Sequence, residues 1–461
     1  MLKEKYHKKV VNPMLLDDYT QGDLKKQLIT MAVPVSVGFF FNTMFNVVDT
    51  FYAGQLSTEA LAGMSLSFAV FFMLIAIISG VSTGLSVLLS ISSGKKDVSE
   101  TKILTASGML LIMIISLIVS IAGYIVSPSL LYALGARGET LNQGAIYVQA
   151  IYAGAVFFGL NFGLNALLSS RGVTKPYRNF LIIGFFMNLV LNPLFIFGYF
   201  GLPRMGTFGV ALATIVVQIF GSIYLLYQCK KILNISYESF SIKYYKLKAQ
   251  FDILSQGLPA SLNMLTIAFG IFVINYFIYQ FGDDFAIAGY GVAMRIEQLA
   301  LLPALGLNTA ALTIAGQNFG ANNYDRIRKT YNESIKIGVL IMTIGMIIIF
   351  PLASFLIGIF NNDPRVIFEG ARYLRIEFLA FNAYIILNIG LSILQAIRKP
   401  HYAIWIGIYR QILMPVLLFN LFGVIFGWGL VGIWWAIVTT TVTGALACLF
   451  FVRYELKKLD A

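Results

Sequence analysis

Charged residues are scarce in this sequence. Asp, Glu, Lys and Arg together make up only 12% of its 461 residues, whereas 58% are hydrophobic. Soluble domains average about a quarter charged residues, so the composition excludes a soluble globular protein. Only two histidines occur, His7 in the N-terminal tail and His401 at a loop, and no His-Glu-x-x-His or nucleophile motif is present. These shortages argue against an enzyme.

The sequence also has few cysteines and lacks the features of a cleavable signal peptide. Cys229 and Cys448 are the only cysteines. Both fall near the predicted cytoplasmic boundary, where thiols stay reduced, so we expect no disulfide. The segment 1–27 is polar and holds no apolar stretch before a small-residue cleavage site, which argues against a removable signal peptide. The first apolar segment is therefore expected to be an uncleaved membrane anchor.

Long apolar segments dominate the rest of the chain. Segments of about 20 apolar residues match the hydrocarbon thickness of a bilayer, and twelve of them predict an all-α polytopic membrane protein. The predicted spans are 28–52, 60–92, 102–126, 145–169, 179–200, 207–228, 256–280, 286–316, 333–357, 374–397, 401–424 and 430–452.

The two halves of the chain repeat each other. GVSTGLSVLLSISSG, from Gly80 to Gly94, reappears in the second half as GLNTAALTIAGQNFG, from Gly306 to Gly320, with both terminal glycines displaced equally. Six spans in each half return the chain to its starting side, which predicts parallel repeats around a central cleft, an arrangement typical of transporters. The predicted division is a tail (1–27), an N-lobe (28–228), a linker (229–255), a C-lobe (256–452) and a second tail (453–461).

The net charge of +12 could indicate nucleic-acid binding, but the basic residues follow membrane topology instead. With the N-terminus inside, most Lys and Arg residues fall in the predicted cytoplasmic segments, and only Arg137, Arg204, Arg365, Arg372 and Arg375 fall in the outer ones. The positive-inside rule therefore places both termini in the cytoplasm. We expect a multi-pass protein of the bacterial plasma membrane that contacts lipids and binds no nucleic acid.

Asp49 is the only acid within the membrane region of the N-lobe, and buried charges in a bilayer are functional candidates. It lies about 21 residues into the first span, in the outer third of the bilayer. Asn188 and Asn192, one turn apart, and Thr214 lie at similar depth. Together they could form a polar pocket that takes up and releases a proton, or holds sodium. Alternatively, Asp49 snorkels to the interface or bonds a neighbouring helix, and the other three join helices together.

A second polar site is predicted in the C-lobe, where Arg295 and Glu297 enter the eighth span. A spacing of two places them on different helix faces, so each needs a partner from another helix. Structural pairing across helices explains them as well as transport chemistry does. Glu377 is expected to form an interfacial salt bridge with Arg372 or Arg375. Arg410 has no evident partner in the sequence.

Several strings together resemble the MATE (multidrug and toxic compound extrusion) family, particularly its DinF-like bacterial branch. The resemblance covers nearly the whole chain. It implies twelve helices in two lobes, a monomer, no cofactor, and export of cationic or amphipathic compounds driven by inward proton or sodium movement. The strings are NVVDTFYAG (46–54), LGARGET (134–140), MNLVLNPLFIFG (187–198), GVALAT (209–214) and GQNFGA (316–321).

The resemblance also implies roles for single residues. Asp49 is similar to the family's N-lobe acid, and Asn188 and Thr214 match its cation-site positions on the fifth and sixth helices. Asn165 matches a fourth-helix Asn, and Arg295 an Arg of the eighth helix. At Asn192 the DinF-like pattern has an Asp, and the acid that the NorM-like branch carries on its seventh helix is missing. Both departures favour proton over sodium coupling.

The sequence therefore predicts a proton-coupled multidrug antiporter that works by alternating access, with Asp49 as the coupling carboxylate and no bound metal other than a sodium alternative. The abundance of aromatic and Met residues, with 38 Phe, 24 Tyr and 15 Met, suits varied, flat or cationic ligands. The main alternative is a flippase for a lipid-linked oligosaccharide or another lipid. A pyrophosphate head group needs several buried basic residues, for which only Arg295 and Arg410 are candidates.

Overall fold

The computed structural model describes residues 18–234 and 241–459. Most of the predicted N-terminal tail, the middle of the predicted linker and the last two residues lie outside this part of the chain. The described residues form sixteen α-helices and no strand. They are α1 (Leu24–Leu56), α2 (Thr58–Lys95), α3 (Val98–Ala133), α4 (Gly138–Ala153), α5 (Ala155–Ser169), α6 (Lys175–Phe197), α7 (Gly206–Leu233), α8 (Leu247–Phe281), α9 (Asp284–Ala300), α10 (Leu302–Gly320), α11 (Tyr324–Gly358), α12 (Pro364–Glu377), α13 (Phe381–Ala396), α14 (His401–Ile408), α15 (Met414–Phe419) and α16 (Gly429–Lys458).

Twelve membrane spans follow from these helices. Ten helical segments are long and apolar enough to cross a membrane, and two bent pairs complete the set. The bent pairs are α4 with α5, which meet at 49°, and α9 with α10, which meet at 43°. Spans 145–169 and 286–316 are therefore broken where single helices were predicted. Gly154 stands at the first break, and Pro303, which has no N–H to donate, follows the second.

The helices also run well past the predicted span ends. Helix α3 has 36 residues and extends over about 54 Å, more than the ~30 Å of hydrocarbon. Side-chain caps determine where α3 and α11 begin. Asp97 accepts a bond from the Glu100 N–H, and Asn323, its counterpart in the second repeat, accepts one from the Arg326 N–H. Helices α7 and α8 likewise extend into both ends of the predicted linker 229–255. Among the described residues between α7 and α8, Ile242–Tyr244 forms a short 3-10 turn.

The lobes meet on the side where α1 begins and α16 ends, here named the terminal side. The repeated segments face each other there, in a near two-fold arrangement. A Cβ on Gly80 of α2 would collide with Ser261 of α8, and a Cβ on Gly306 of α10 would collide with Ser36 of α1. Gly306 is the repeat counterpart of Gly80, and Ser261 lies next to the counterpart of Ser36. Glycine permits such close helix contact because it has no side chain.

Gly94 lies at the same interface, where an added Cβ would overlap the backbone carbonyl of Gln317. Hydrogen bonds between the lobes also lie in this half of the molecule: Thr313 donates to the Ser169 carbonyl at 3.2 Å, and Gln317 donates to the Ser170 carbonyl at 2.9 Å. These contacts hold the lobes closed on the terminal side.

The segment that precedes α1 ties the lobes together at this closed end. The Tyr19 carbonyl accepts bonds from Asn318 at 3.1 Å and Arg326 at 3.0 Å, both in the C-lobe. The Tyr19 hydroxyl reaches the carbonyl of Gly172 in the N-lobe at 3.4 Å. Asp18 pairs with Lys96 at the end of α2. Partial burial raises the pKa of Asp18, but hydrogen bonds with Thr20 and Lys96 outweigh this and hold the pKa below its ordinary value.

Candidate functional site

Asp49 is buried where α1, α6 and α7 meet, with only 4% of its surface exposed. Its Oδ1 accepts hydrogen bonds from the side-chain amides of Asn188 and Asn192, both at 2.8 Å. Its Oδ2 accepts one from the Thr214 hydroxyl at 3.1 Å. The structure therefore brings together four of the five residues that the sequence assigned to the cation site.

The helical repeat arranges the two amides as a unit. Asn188 and Asn192 are four residues apart on α6, and the Asn192 amide also donates to Asn188 Oδ1 at 3.1 Å. Pro193 follows directly, and because it has no N–H, the Leu189 carbonyl loses its helical donor. The Tyr52 hydroxyl of α1 lies 3.4 Å from that carbonyl and takes the place of the missing donor.

One oxygen in this site has no partner. Asn192 Oδ1 is buried and accepts no hydrogen bond from the described residues. Salt bridges of the described residues do not include Asp49. A buried carboxylate with no cationic partner and a neighbouring free acceptor are groups that a proton or a small cation would satisfy.

Asn165 does not take part in this network and is only half-buried. Asn161, one turn earlier on α5, is buried instead, and its amide donates to the Gln218 side chain at 2.7 Å. Ser222 donates to Asn161 Oδ1 at 3.0 Å. Sequence inspection missed Asn161, because polar uncharged residues are common in membrane helices and carry little signal by themselves.

The C-lobe contains a second buried polar cluster, which we name the C-lobe cluster: Glu297, Tyr373, Glu377, Tyr384 and Arg410. The Tyr373 hydroxyl donates to Glu297 at 2.9 Å, and the Tyr384 hydroxyl donates to Glu377 at 2.9 Å. The Arg410 guanidinium lies 5.0 Å from the centre of the Tyr384 ring, and the salt bridges of the described residues do not include it. Arg410, unexplained by sequence, therefore joins the cluster through an aromatic ring.

The predicted interfacial salt bridge of Glu377 was wrong. Glu377 is fully buried, whereas Arg372 pairs with Glu369 at 3.7 Å and Arg375 donates to Ser354 at 3.1 Å. Helical rotation explains the difference: Glu377 lies one turn after the buried Tyr373, while the two arginines, which are half-buried, fall outside the buried face of α12.

Arg295 does not belong to the C-lobe cluster. Its side chain is exposed, whereas Glu297, two residues later on α9, is buried at 6% exposure. The two residues therefore lie on different faces, as the spacing of two predicts. Of the second predicted site, only Glu297 joins a buried network. Arg410 lies in a π-helical segment, Tyr409–Leu413, which widens the helix that carries it.

Comparison with known proteins places this geometry in context. The MatE family model matches residues 34–194 and 259–420, which cover both lobes. The probable multidrug resistance protein YpnP of Bacillus subtilis is 28% identical over 361 residues, which are 78% of this chain and 79% of that protein. The FAD transporter of Shewanella oneidensis is 28% identical over 433 residues, 92% of this chain and 94% of that one. A solved outward-facing multidrug resistance MATE transporter has a TM-score of 0.90 at 24% identity, covering 96% and 98% of the two chains.

Proposed function

This chain is a multidrug efflux transporter of the MatE family, and we propose that it exports cationic or amphipathic compounds by alternating access in exchange for protons bound at Asp49. The observation that carries the proposal is the Asp49 site itself. A buried carboxylate is costly unless it is paired or neutralised. Its partners in the described structure are two amides and one hydroxyl, none of which can supply positive charge.

Thr214 gives the site a way to accept a proton without losing a hydrogen bond. Its hydroxyl oxygen lies 3.1 Å from Asp49 Oδ2 and 3.2 Å from the Val210 carbonyl, and its single proton serves one acceptor at a time. With Asp49 protonated at Oδ2, the carboxyl group would donate to Thr214, and Thr214 would donate to Val210. The direction of this chain of hydrogen bonds reverses, while each donor in it keeps an acceptor.

The transport cycle follows from the position of this site. Asp49 lies in the half of α1 away from the closed terminal side, so a proton can reach it while the cleft opens there. Neutralising the carboxylate keeps its hydrogen bonds but weakens those from Asn188 and Asn192, because a bond to a charged acceptor is the stronger one. The looser contact between α1 and α6 permits the rearrangement that expels the exported compound. The lobes then close on that side and open on the terminal side, where the proton leaves to the cytoplasm.

Sodium is the alternative coupling ion. Carboxylate, amide and hydroxyl oxygens are the ligands of hard cations, and the unpartnered Asn192 Oδ1 would add one more. The site holds one carboxylate rather than two, which lowers the negative charge available to a cation and supports proton coupling.

If one proton is exchanged for one monovalent cationic compound, each pH unit of gradient supports roughly tenfold accumulation of that compound.

A lipid-linked oligosaccharide flippase is the weaker candidate. Its pyrophosphate substrate would need free basic side chains in the cleft. Arg410 lies over the Tyr384 ring within the C-lobe cluster, which leaves Arg295 as the exposed basic candidate on α9.

The test is transport of ethidium into inverted vesicles, with proton and sodium gradients applied separately, for wild-type protein and Asp49→Asn. The asparagine variant can keep all three hydrogen bonds: its carbonyl accepts from Asn188 and Asn192, and its amide donates to Thr214. We therefore expect folded protein with no proton-driven accumulation. Accumulation that persists in Asp49→Asn would refute the role of Asp49. A wild type that moves no ethidium under either gradient would contradict cation export and bring the flippase and an anionic substrate such as FAD forward.

A further inference from the structure

A groove of about 580 Å³ runs along one seam between the lobes, on the outer surface of the helix bundle. Helix α1 of the N-lobe forms one wall, and α10 and α11 of the C-lobe form the others. The walls are apolar and include Val33, Leu307 and Leu340. Lys25 and Lys336 also line the groove, at the level where the apolar parts of α1 and α11 begin.

At the matching seam on the other side of the molecule, α3 packs against α8. There Gln250 donates to the Ser107 carbonyl at 3.3 Å, and the Lys246 N–H donates to the Ser107 hydroxyl at 3.0 Å. The repeat relates Ser107 to Glu333, and it places Gln250 next to the counterpart of Lys25. The neutral contact between Gln250 and Ser107 at one seam is thus replaced by charged residues at the mouth of the groove in the other seam.

The charges at this mouth favour an anion. Lys336 pairs with Glu333 at 2.7 Å, so this pair adds no net charge, but the Lys336 ammonium keeps further N–H donors for an anion. Lys25 is exposed and forms no salt bridge within the part of the chain that the structure describes, which leaves the mouth with a net positive charge. From Lys25 to Val37 the groove follows α1 for about 18 Å. One leaflet contributes about half of the ~30 Å hydrocarbon core, so the groove spans the depth of a single leaflet.

We propose that this groove binds an anionic phospholipid of the leaflet on the terminal side. Its phosphate contacts Lys25 and Lys336, and one acyl chain lies between α1 and α11. Basic pockets between membrane helices on the cytoplasmic side are suited to anionic head groups. Because both lobes supply walls, the bound lipid stabilises the state that is closed on the terminal side. The site is independent of the exported compound and of the coupling ion.

The experiment measures the thermal unfolding of purified full-length protein in detergent, with added phosphatidylglycerol or phosphatidylcholine. We expect phosphatidylglycerol to raise the Tm of the wild type by several degrees more than phosphatidylcholine does. Lys25→Gln should reduce this difference, and Lys25→Gln with Lys336→Gln should abolish it. The matched control, Lys243→Gln with Lys248→Gln, removes two exposed lysines near the other seam and should behave as wild type.

The acyl part of the site is tested separately. Val33→Trp fills the groove and should remove the phosphatidylglycerol effect, whereas Ile223→Trp, at an exposed apolar position on α7, should not. Soluble glycerol 3-phosphate should leave the wild-type Tm unchanged. If the Tm difference between phosphatidylglycerol and phosphatidylcholine is the same in the wild type and in the double lysine variant, the proposal is overturned. So would a Tm rise with glycerol 3-phosphate that matches the lipid effect, because a free anion would then suffice.

Discussion

Replacing Tyr19 by alanine should open the transporter on its terminal side. The Tyr19 side chain is 5% exposed and packs in an apolar cluster with residues of both lobes, among them Leu28 and Leu307. Truncating a buried aromatic side chain costs about 3 to 5 kcal/mol. We expect about 3 kcal/mol, since the backbone bonds from Asn318 and Arg326 to the Tyr19 carbonyl do not depend on the ring. This cost applies only to the closed state, because the ring bridges the lobes only there.

A shift of about 3 kcal/mol corresponds to a change of roughly 100-fold in the equilibrium between closed and open states. Ser90 is a suitable reporter position because it is fully buried against Gly316 of the other lobe. The assay is maleimide labelling of Ser90→Cys, in protein with Cys229 and Cys448 replaced by alanine. When the open state is rare, the labelling rate follows its population, so Tyr19→Ala should label up to roughly 100-fold faster.

The matched control for this experiment is Tyr227→Ala, which removes an exposed ring from α7 and should leave the labelling rate unchanged. Unfolding of a variant, as opposed to opening of its lobes, would be seen as a lower Tm together with rapid labelling. If folded Tyr19→Ala labels within about twofold of its parent, the segment before α1 does not hold the lobes closed and the reasoning fails.

Three further predictions concern the two polar sites and the lobe interface. Asn192→Asp adds a second carboxylate beside Asp49 and should make transport faster in sodium than in potassium buffer; equal rates would contradict the role assigned to charge. Arg410→Gln removes the positive charge from the C-lobe cluster, which holds two buried acids, and should lower the Tm, with Glu297→Gln partly restoring it; no loss of Tm would count against a role of Arg410 in the cluster. Gly94→Ala places a Cβ against the Gln317 carbonyl and should accelerate labelling in the same maleimide assay; unchanged labelling would show that the interface adapts.

The Asp49 site was predictable because its signal is local. An acid in an apolar span is conspicuous, and two Asn residues four apart must share a helix face. The fifth member of the predicted set, Asn165, shows the limit of this approach. Asn161 and Asn165 lie one turn apart on the same side of α5, so which of them meets a polar partner depends on where the neighbouring helices pack along α5 rather than on the residue type.

The C-lobe cluster could not be predicted in the same way. Its acids, tyrosines and arginine come from α9, α12, α13 and the π-helical segment Tyr409–Leu413, and their pairing depends on how these helices cross. Near Glu377, the sequence offered Arg372 and Arg375 as closer partners along the chain. The face of α12 that packs inward excluded both.

The sequence by itself determined the twelve spans, the two repeats and which residues share a helix face, because hydrophobic length and helical periodicity are properties of contiguous residues. Tertiary structure alone decided where α4 and α9 end in a bend, that the lobes meet on the terminal side, and that the seam between α1 and α11 holds a groove. These features depend on contacts between residues far apart in the chain, such as Gly80 with Ser261. The repeats are similar in sequence, yet a few substitutions between helices, as at Lys25 and Gln250, suffice to make their seams different.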